Sequence, residues 1–158
     1  MTRDEELELI CKSGKNDALA LQERSSGLTG TELNAEDDKI PAFREAVKHQ
    51  NMLERKAGQD DGFVCKSSAG RVVRLIQAYD SRNYLHADGT PWEPEELPAQ
   101  WRFVWSQDPA KALPFISLST SPYNTGDCCT EGEGTFCSTM DGNVWAPSAY
   151  PRGWEAVV

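Results

Sequence analysis

Four of the five tryptophans in this chain share one spacing. Residues 92–101 read Trp-Glu-Pro-Glu-Glu-Leu-Pro-Ala-Gln-Trp and residues 145–154 read Trp-Ala-Pro-Ser-Ala-Tyr-Pro-Arg-Gly-Trp, so both fit W-x-P-x-x-(L/Y)-P-x-x-W without a gap. The chemistry such residues offer is contact: flat aromatic faces cover the C–H patches of a pyranose, and a few polar groups take its hydroxyls. Pro94 and Pro147 fix φ, and Pro98 and Pro151 stiffen the segment again four residues on, so the first indole is held at little entropic cost. The second indole begins a strand, and a ring that buries ~150–250 Å² is a large share of any small core. Trp101 and Trp154 are therefore expected inside, whereas Trp92 and Trp145 are open to either reading, platform or core. The candidate ligand-binding residues are Trp145, Tyr123, Tyr150 and Trp92, with Asp127, Asn143 and Asp141 as hydrogen-bond partners; Asp127 is equally suited to capping a turn.

Catalysis finds little support. His49 and His86 are the only histidines, and neither adjoins a serine or cysteine in a nucleophile motif. Glu95-Glu96 has the chemistry of a glycosidase pair, but a proline-flanked acidic stretch more often lies solvated. No phosphate loop, dinucleotide fingerprint or metalloprotease motif occurs. No catalytic residue, metal ligand or cofactor is assigned. Five cysteines, Cys11, Cys65, Cys128, Cys129 and Cys137, lack the C-x-x-C spacing of a zinc knuckle or redox pair. A zinc site drawn from the four in the C-terminal part is conceivable; the preferred reading is small buried thiols in a reducing compartment.

The net charge of −9 is spread along the chain, and without a basic patch nucleic-acid binding has no electrostatic source. An anionic membrane surface is disfavoured for the same reason, and a neutral sugar remains compatible. No apolar run approaches the ~20 residues of a bilayer span. The charged N-terminus is not a signal peptide, so synthesis in the cytoplasm is expected, with departure only as part of a larger particle.

The elements that must carry the motif fall into two characters. Residues 1–58 read as helical. Thr2-Arg3-Asp4-Glu5 is a capping box preceding Leu7, Ile10 and Cys11, and a short helix is expected at 15–24. Thr29-Gly30-Thr31-Glu32 is a second capping box with Leu28 and Leu33 placed as a hydrophobic staple. A last helix, with Pro41 in its first turn, is expected to run through Phe43, Ala46, Val47 and Leu53 to Gly58. These helices are short and thinly apolar, either a cap on the remainder or a segment that docks the protein onto an assembly. From Gly62 the chain reads as strands: a hairpin around Ser67-Ser68-Ala69-Gly70, a strand at 100–105 with Trp101, Phe103 and Trp105 on one face, a second hairpin around Glu131-Gly132-Glu133-Gly134, and a final strand at 154–158. Each copy of the tryptophan motif follows a hairpin, so the repeated unit is hairpin, loop, W-x-P segment and closing strand.

At these residues the chain resembles the chitin-binding-type modules of bacterial chitinases and their relatives in phage structural proteins. The resemblance rests on Tyr123, Gly126-Asp127, Gly132, Phe136, Trp145 with Pro147, and Trp154. It extends more loosely over 62–105 through Phe63, Gly70, Leu75, Trp92 with Pro94, and Trp101. The first copy departs in its longer loop from Tyr79 to Pro91 and in lacking the Gly-Asp pair, which puts its ligand binding in question. The whole chain is similar to small proteins encoded beside tail and fibre genes in phages of Gram-positive bacteria. That likeness implies a virion-associated, carbohydrate-binding role.

The sequence thus predicts an α+β chain: a helical segment at 1–58, a β module at 59–106, a joining segment at 107–120 whose Leu113, Phe115 and Ile116 could tie the modules together, and a second β module at 121–158. The expected function is non-catalytic polysaccharide binding on a virion, with other virion proteins met through residues 1–58 and several copies acting together as a homo-oligomer. Two rivals remain: structural cement of a capsid or tail, and an accessory wall-binding domain for a separate hydrolase.

Overall fold

The computed structural model describes residues 17–47, apart from Leu19 and Glu23, and residues 63–158, apart from Ala78. The capping box at residues 2–5, and the continuation of the last expected helix from 48 to 58, lie outside the described residues. The fold is α+β, with short helices ahead of two small sheets.

Strands β1 (Val64–Lys66), β2 (Val72–Leu75) and β3 (Trp101–Phe103) form an antiparallel sheet in that order. Strands β4 (Leu113–Pro114), β5 (Cys128–Glu131), β6 (Gly134–Ser138) and β7 (Trp154–Ala156) form the second, in which β4 runs parallel to β5 and the others pair antiparallel. Both hairpins form where glycine permits the turn. Gly70 has φ +85°, and Gly132 has φ +59° at the first position of a two-residue loop, where a primed hairpin turn requires a positive φ.

The first sheet is covered on both faces. Alternation along the strands sends Cys65, Val73, Leu75, Trp101 and Phe103 to one side, where Phe43 and Ala46 pack on them. Val64, Val72 and Val104 go to the other, under Leu21, Leu33 and Ile40. Helix α1 (Gly30–Ala35) begins at Thr29, whose hydroxyl accepts from the Glu32 N–H as the capping box requires. Residues 17–24 are helical at every described position. Gln22 closes the open edge of β1: its side-chain amide donates to the Val64 carbonyl at 2.6 Å and accepts from the Val64 N–H at 3.0 Å. An otherwise unpaired strand edge is thereby satisfied from within the chain. Pro41 does not enter helix α2 (Phe43–Ala46), as the sequence suggested; Ala42 is the N-cap, and the Pro41 carbonyl accepts from Lys66 N–H at 2.9 Å on that same edge. The competing strand edge decides this, because Pro41 can lend it a carbonyl without needing a donor of its own. Leu21, Leu33, Ile40, Phe43 and Ala46 are thus part of the core of the first module.

The joining segment is built into both cores. Ile116 and Leu118 pack on the first sheet, Phe115 on the second, and Trp105 lies between the two. Trp105 stacks on Tyr123 with ring centres 4.3 Å apart and planes within 10°, and its indole N–H donates to the Ser121 carbonyl.

Hairpin register overturns the expectation of thiols throughout. Cys128 lies directly opposite Cys137 on β5 and β6, and the two form a disulfide. Cys129, on the other face of β5, is a buried thiol pushed up to about 12 by burial; Cys65 is likewise a buried thiol raised by burial. For a loop this short, reduction of the disulfide is expected to lower stability by about 2–3 kcal/mol. Urea titrations with and without a phosphine reductant measure it, and identical midpoints would show that the bond contributes nothing.

Candidate functional site

The two W-x-P segments share one backbone design. In the first, Glu96 N–H donates to Glu93 O at 2.9 Å and Gln100 N–H to Leu97 O at 3.1 Å; in the second, Ala149 N–H donates to Ala146 O at 2.9 Å and Gly153 N–H to Tyr150 O at 3.1 Å. Each proline opens one of these turns, because its fixed φ suits the first turn position and no N–H is wanted there. The closing indole then starts the last strand of its sheet. Trp101 pairs with Leu75 at the end of β2, and Trp154 with Ser138 at the end of β6. This register also makes Val73 equivalent to Phe136 and Cys65 to Cys129, so the two buried thiols occupy one position of the repeat.

Within each motif the two indoles part company. Trp101 is fully buried and Trp154 is 7% exposed, whereas Trp92 is 37% and Trp145 49% exposed. Among the described residues the exposed large apolar side chains gather at these two loops, as Leu85, Trp92, Trp145 and Tyr150, and at the C-terminal valines. In the second module Trp145 lies beside Tyr150, with ring centres 5.8 Å apart and planes inclined at 54°. The pair is open but not coplanar, so a sugar chain lying on both faces must bend or twist across them. Beneath, the Trp154 indole N–H donates to the Trp145 carbonyl at 2.8 Å, which locks the leading indole's backbone to the core.

Each segment is clamped to its own hairpin through a carboxylate, with donor and acceptor exchanged between copies. Glu95, in the first segment, accepts from Ser67 Oγ at 2.6 Å and from Arg71 at 3.1 Å, both on the hairpin turn. In the second, Glu131 on the hairpin accepts from the Ser148 N–H at 3.0 Å and its hydroxyl at 3.2 Å, and Ser148 stands where Glu95 stands in the first. Glu93 accepts from Arg44 and the Ser68 N–H, and Glu96 from its own segment's Glu93 N–H. Glu93 and Glu95 are therefore committed to holding the loop, while Glu96 bonds its own turn and stays exposed.

The remaining candidates are framework. Tyr123 does not reach the surface: it is 1% exposed and enclosed by Trp105, Phe115 and Trp154. Asn143 is fully buried; its amide donates to Ser138 Oγ and Gly153 O and accepts from Trp145 N–H. That arrangement positions Trp145 from behind and leaves no group for a ligand. Asp127 closes its own turn, accepting from Asn124 N–H at 2.8 Å while its N–H donates to Asn124 O. Asp141 accepts from Thr125 N–H, which holds its carboxyl below the usual range. The structure thus brings Trp145 and Tyr150 together, sets Trp92 on the other module, and withdraws Tyr123 and Asn143.

Burial raises the Asp127 carboxyl, with Asp141 adding to the effect against the Asn124 hydrogen bond. A raised folded-state pKa means that the carboxyl favours folding below its unfolded value and loses that contribution as the pH climbs through the folded one. Asp127→Asn keeps an acceptor for Asn124 N–H and removes the charge. It should be at least as stable as the parent at pH 7, with its advantage shrinking in denaturation curves taken towards acid; a large loss at pH 7 would count against this account. Asp127 also lines a cleft of about 330 Å³, with Arg102, Trp105 and Asn124, between the start of α1 and the end of β3.

Sequence reasoning missed His86, whose ring stacks on Trp92 at 5.6 Å and 27°, and the exposed Leu85 beside it. The available signal was Asp88-Gly89, a turn pair that folds the loop back so that His86 N–H meets Thr90 O and Leu85 meets Pro91. Among the described residues no cluster of three or more potential metal ligands occurs. No protein-family model matches the chain, and neither a curated protein nor a solved structure is detectably similar to it.

Proposed function

We propose that the protein is a non-catalytic carbohydrate-binding protein that attaches a virion to a neutral polysaccharide of a cell or environmental surface, an N-acetylglucosamine polymer in the first instance. The observation that carries this reading is the split within the motif: one rigid segment buries its closing indole and displays its leading one, and it does so twice. Exposing an indole is unfavourable in water, and rings held by prolines, a hairpin clamp and a buried asparagine bind without first being ordered. The net charge of −9 turns away polyanions and leaves neutral glycans as partners. The virion setting rests on the resemblance to phage tail-associated proteins. Stacking on one or two rings is weak, so useful attachment requires many copies on one particle.

Retention of the intact protein on insoluble chitin and on purified cell-wall glycan tests the proposal. Trp145→Ala should reduce retention at least tenfold, with Glu155→Ala, exposed on β7, as an unchanged control. Failure of a multivalent display to bind any polysaccharide would reject the reading and favour structural cement, in which the same rings lie under a neighbouring subunit.

A further inference from the structure

We infer that the first module holds a second, independent site for the same polymer, built on Trp92 and His86, so that one chain grips a polysaccharide at two points. This rests on the carbohydrate reading above and adds a site of different composition. Trp92 occupies the position of Trp145 on the shared scaffold, with the same turn hydrogen bonds behind it. The partner ring differs. The residue equivalent to Tyr150 is Leu97, which is buried in the core, so the second ring is supplied from another stretch of chain, His86 on the 79–91 loop. The extra length of that loop, which sets the first copy apart from the second, is what carries His86 over to the indole. His86 Nε2 lies 3.1 Å from a Glu96 carboxylate oxygen, and Leu85 is exposed alongside, so a flat aromatic face is flanked by an apolar side chain and by polar groups able to meet hydroxyls.

The Gly-Asp pair that the first copy lacks serves in the second to close a turn between Asp127 and Asn124, a local structural role. Trp92 itself stands outside the core cluster that Trp101 and Leu97 help to form. A polymer long enough to span both sites, once held at one, would meet the other at an effective concentration of about millimolar.

The test uses the full chain and the N-acetylglucosamine trisaccharide. Native mass spectrometry should show two trisaccharides per wild-type chain, one for Trp92→Ala, one for Trp145→Ala and none for the double variant. On insoluble chitin either single variant should lose at least about tenfold in apparent affinity. Because Trp92→Ala could loosen the loop, indole N–H resonances of the unmutated protein are followed in parallel: those of Trp92 and Trp145 should both shift on titration while that of Trp101 stays. A single trisaccharide per chain with a stationary Trp92 signal overturns the second site and leaves the carbohydrate reading standing. A wild-type chain that takes none overturns both.

Discussion

Trp101→Ala is expected to lower the unfolding free energy by about 3–5 kcal/mol, and Trp145→Ala, at the other end of the equivalent motif, by only about 1–2 kcal/mol. Trp101 is fully enclosed, meeting Phe43 edge-on at 5.8 Å and Tyr79 at 5.4 Å, so truncation opens a cavity between the sheet and helix α2. Trp145 is already 49% exposed, and its backbone carbonyl, which alanine retains, is what accepts the hydrogen bond from the Trp154 indole in the core. Urea denaturation of the two variants reads the difference directly. At a temperature where both are folded, Trp145→Ala should lose the second-module site that Trp101→Ala keeps. Equal stability losses would mean that the leading indole is structural, and the case for an external ligand would go with it.

Glu95→Ala should be the most disruptive single change among the loop carboxylates, at about 3–5 kcal/mol. Arg71 and Glu95 are nearly buried, with side chains 10% and 16% exposed, and the arginine also donates to the Pro114 carbonyl at 2.8 Å. One ion pair therefore joins the hairpin turn, the W-x-P loop and strand β4. Removing the carboxylate leaves a guanidinium with poor access to water, whereas the paired replacement Arg71→Met/Glu95→Leu removes both charges and should recover much of the loss. A double-mutant cycle in urea measures the coupling, and additive single losses would show the pair to be incidental. The same lesion should free the Trp92 segment, so polymer retention by Glu95→Ala should fall further than its folded fraction alone accounts for.

Every strand except β4, both hairpin turns, the capping box at Thr29 and the doubled tryptophan motif were legible in the sequence because each is a local property; β4 exists only by pairing with the distant β5. Alternation is set by the pleat, a positive φ by the glycine, and rigidity by proline, whatever lies elsewhere in the chain. The motif even implied that its closing indoles would lie inside, since a ring of that size beginning a strand in so small a module has nowhere else to go. What the local pattern does not contain is which partner arrives from a distance. Tyr123 read as a surface aromatic until Trp105 and Phe115, from outside its own hairpin, closed over it. Asn143 read as a ligand donor until Ser138, Gly153 and Trp145 used its amide. The disulfide needed the β5–β6 register, His86 needed the 79–91 loop to fold back, and the role of Gln22 needed an open strand edge 42 residues away. Burial and pairing depend on distant segments meeting, and only the tertiary structure decided which aromatic rings the chain encloses and which it displays.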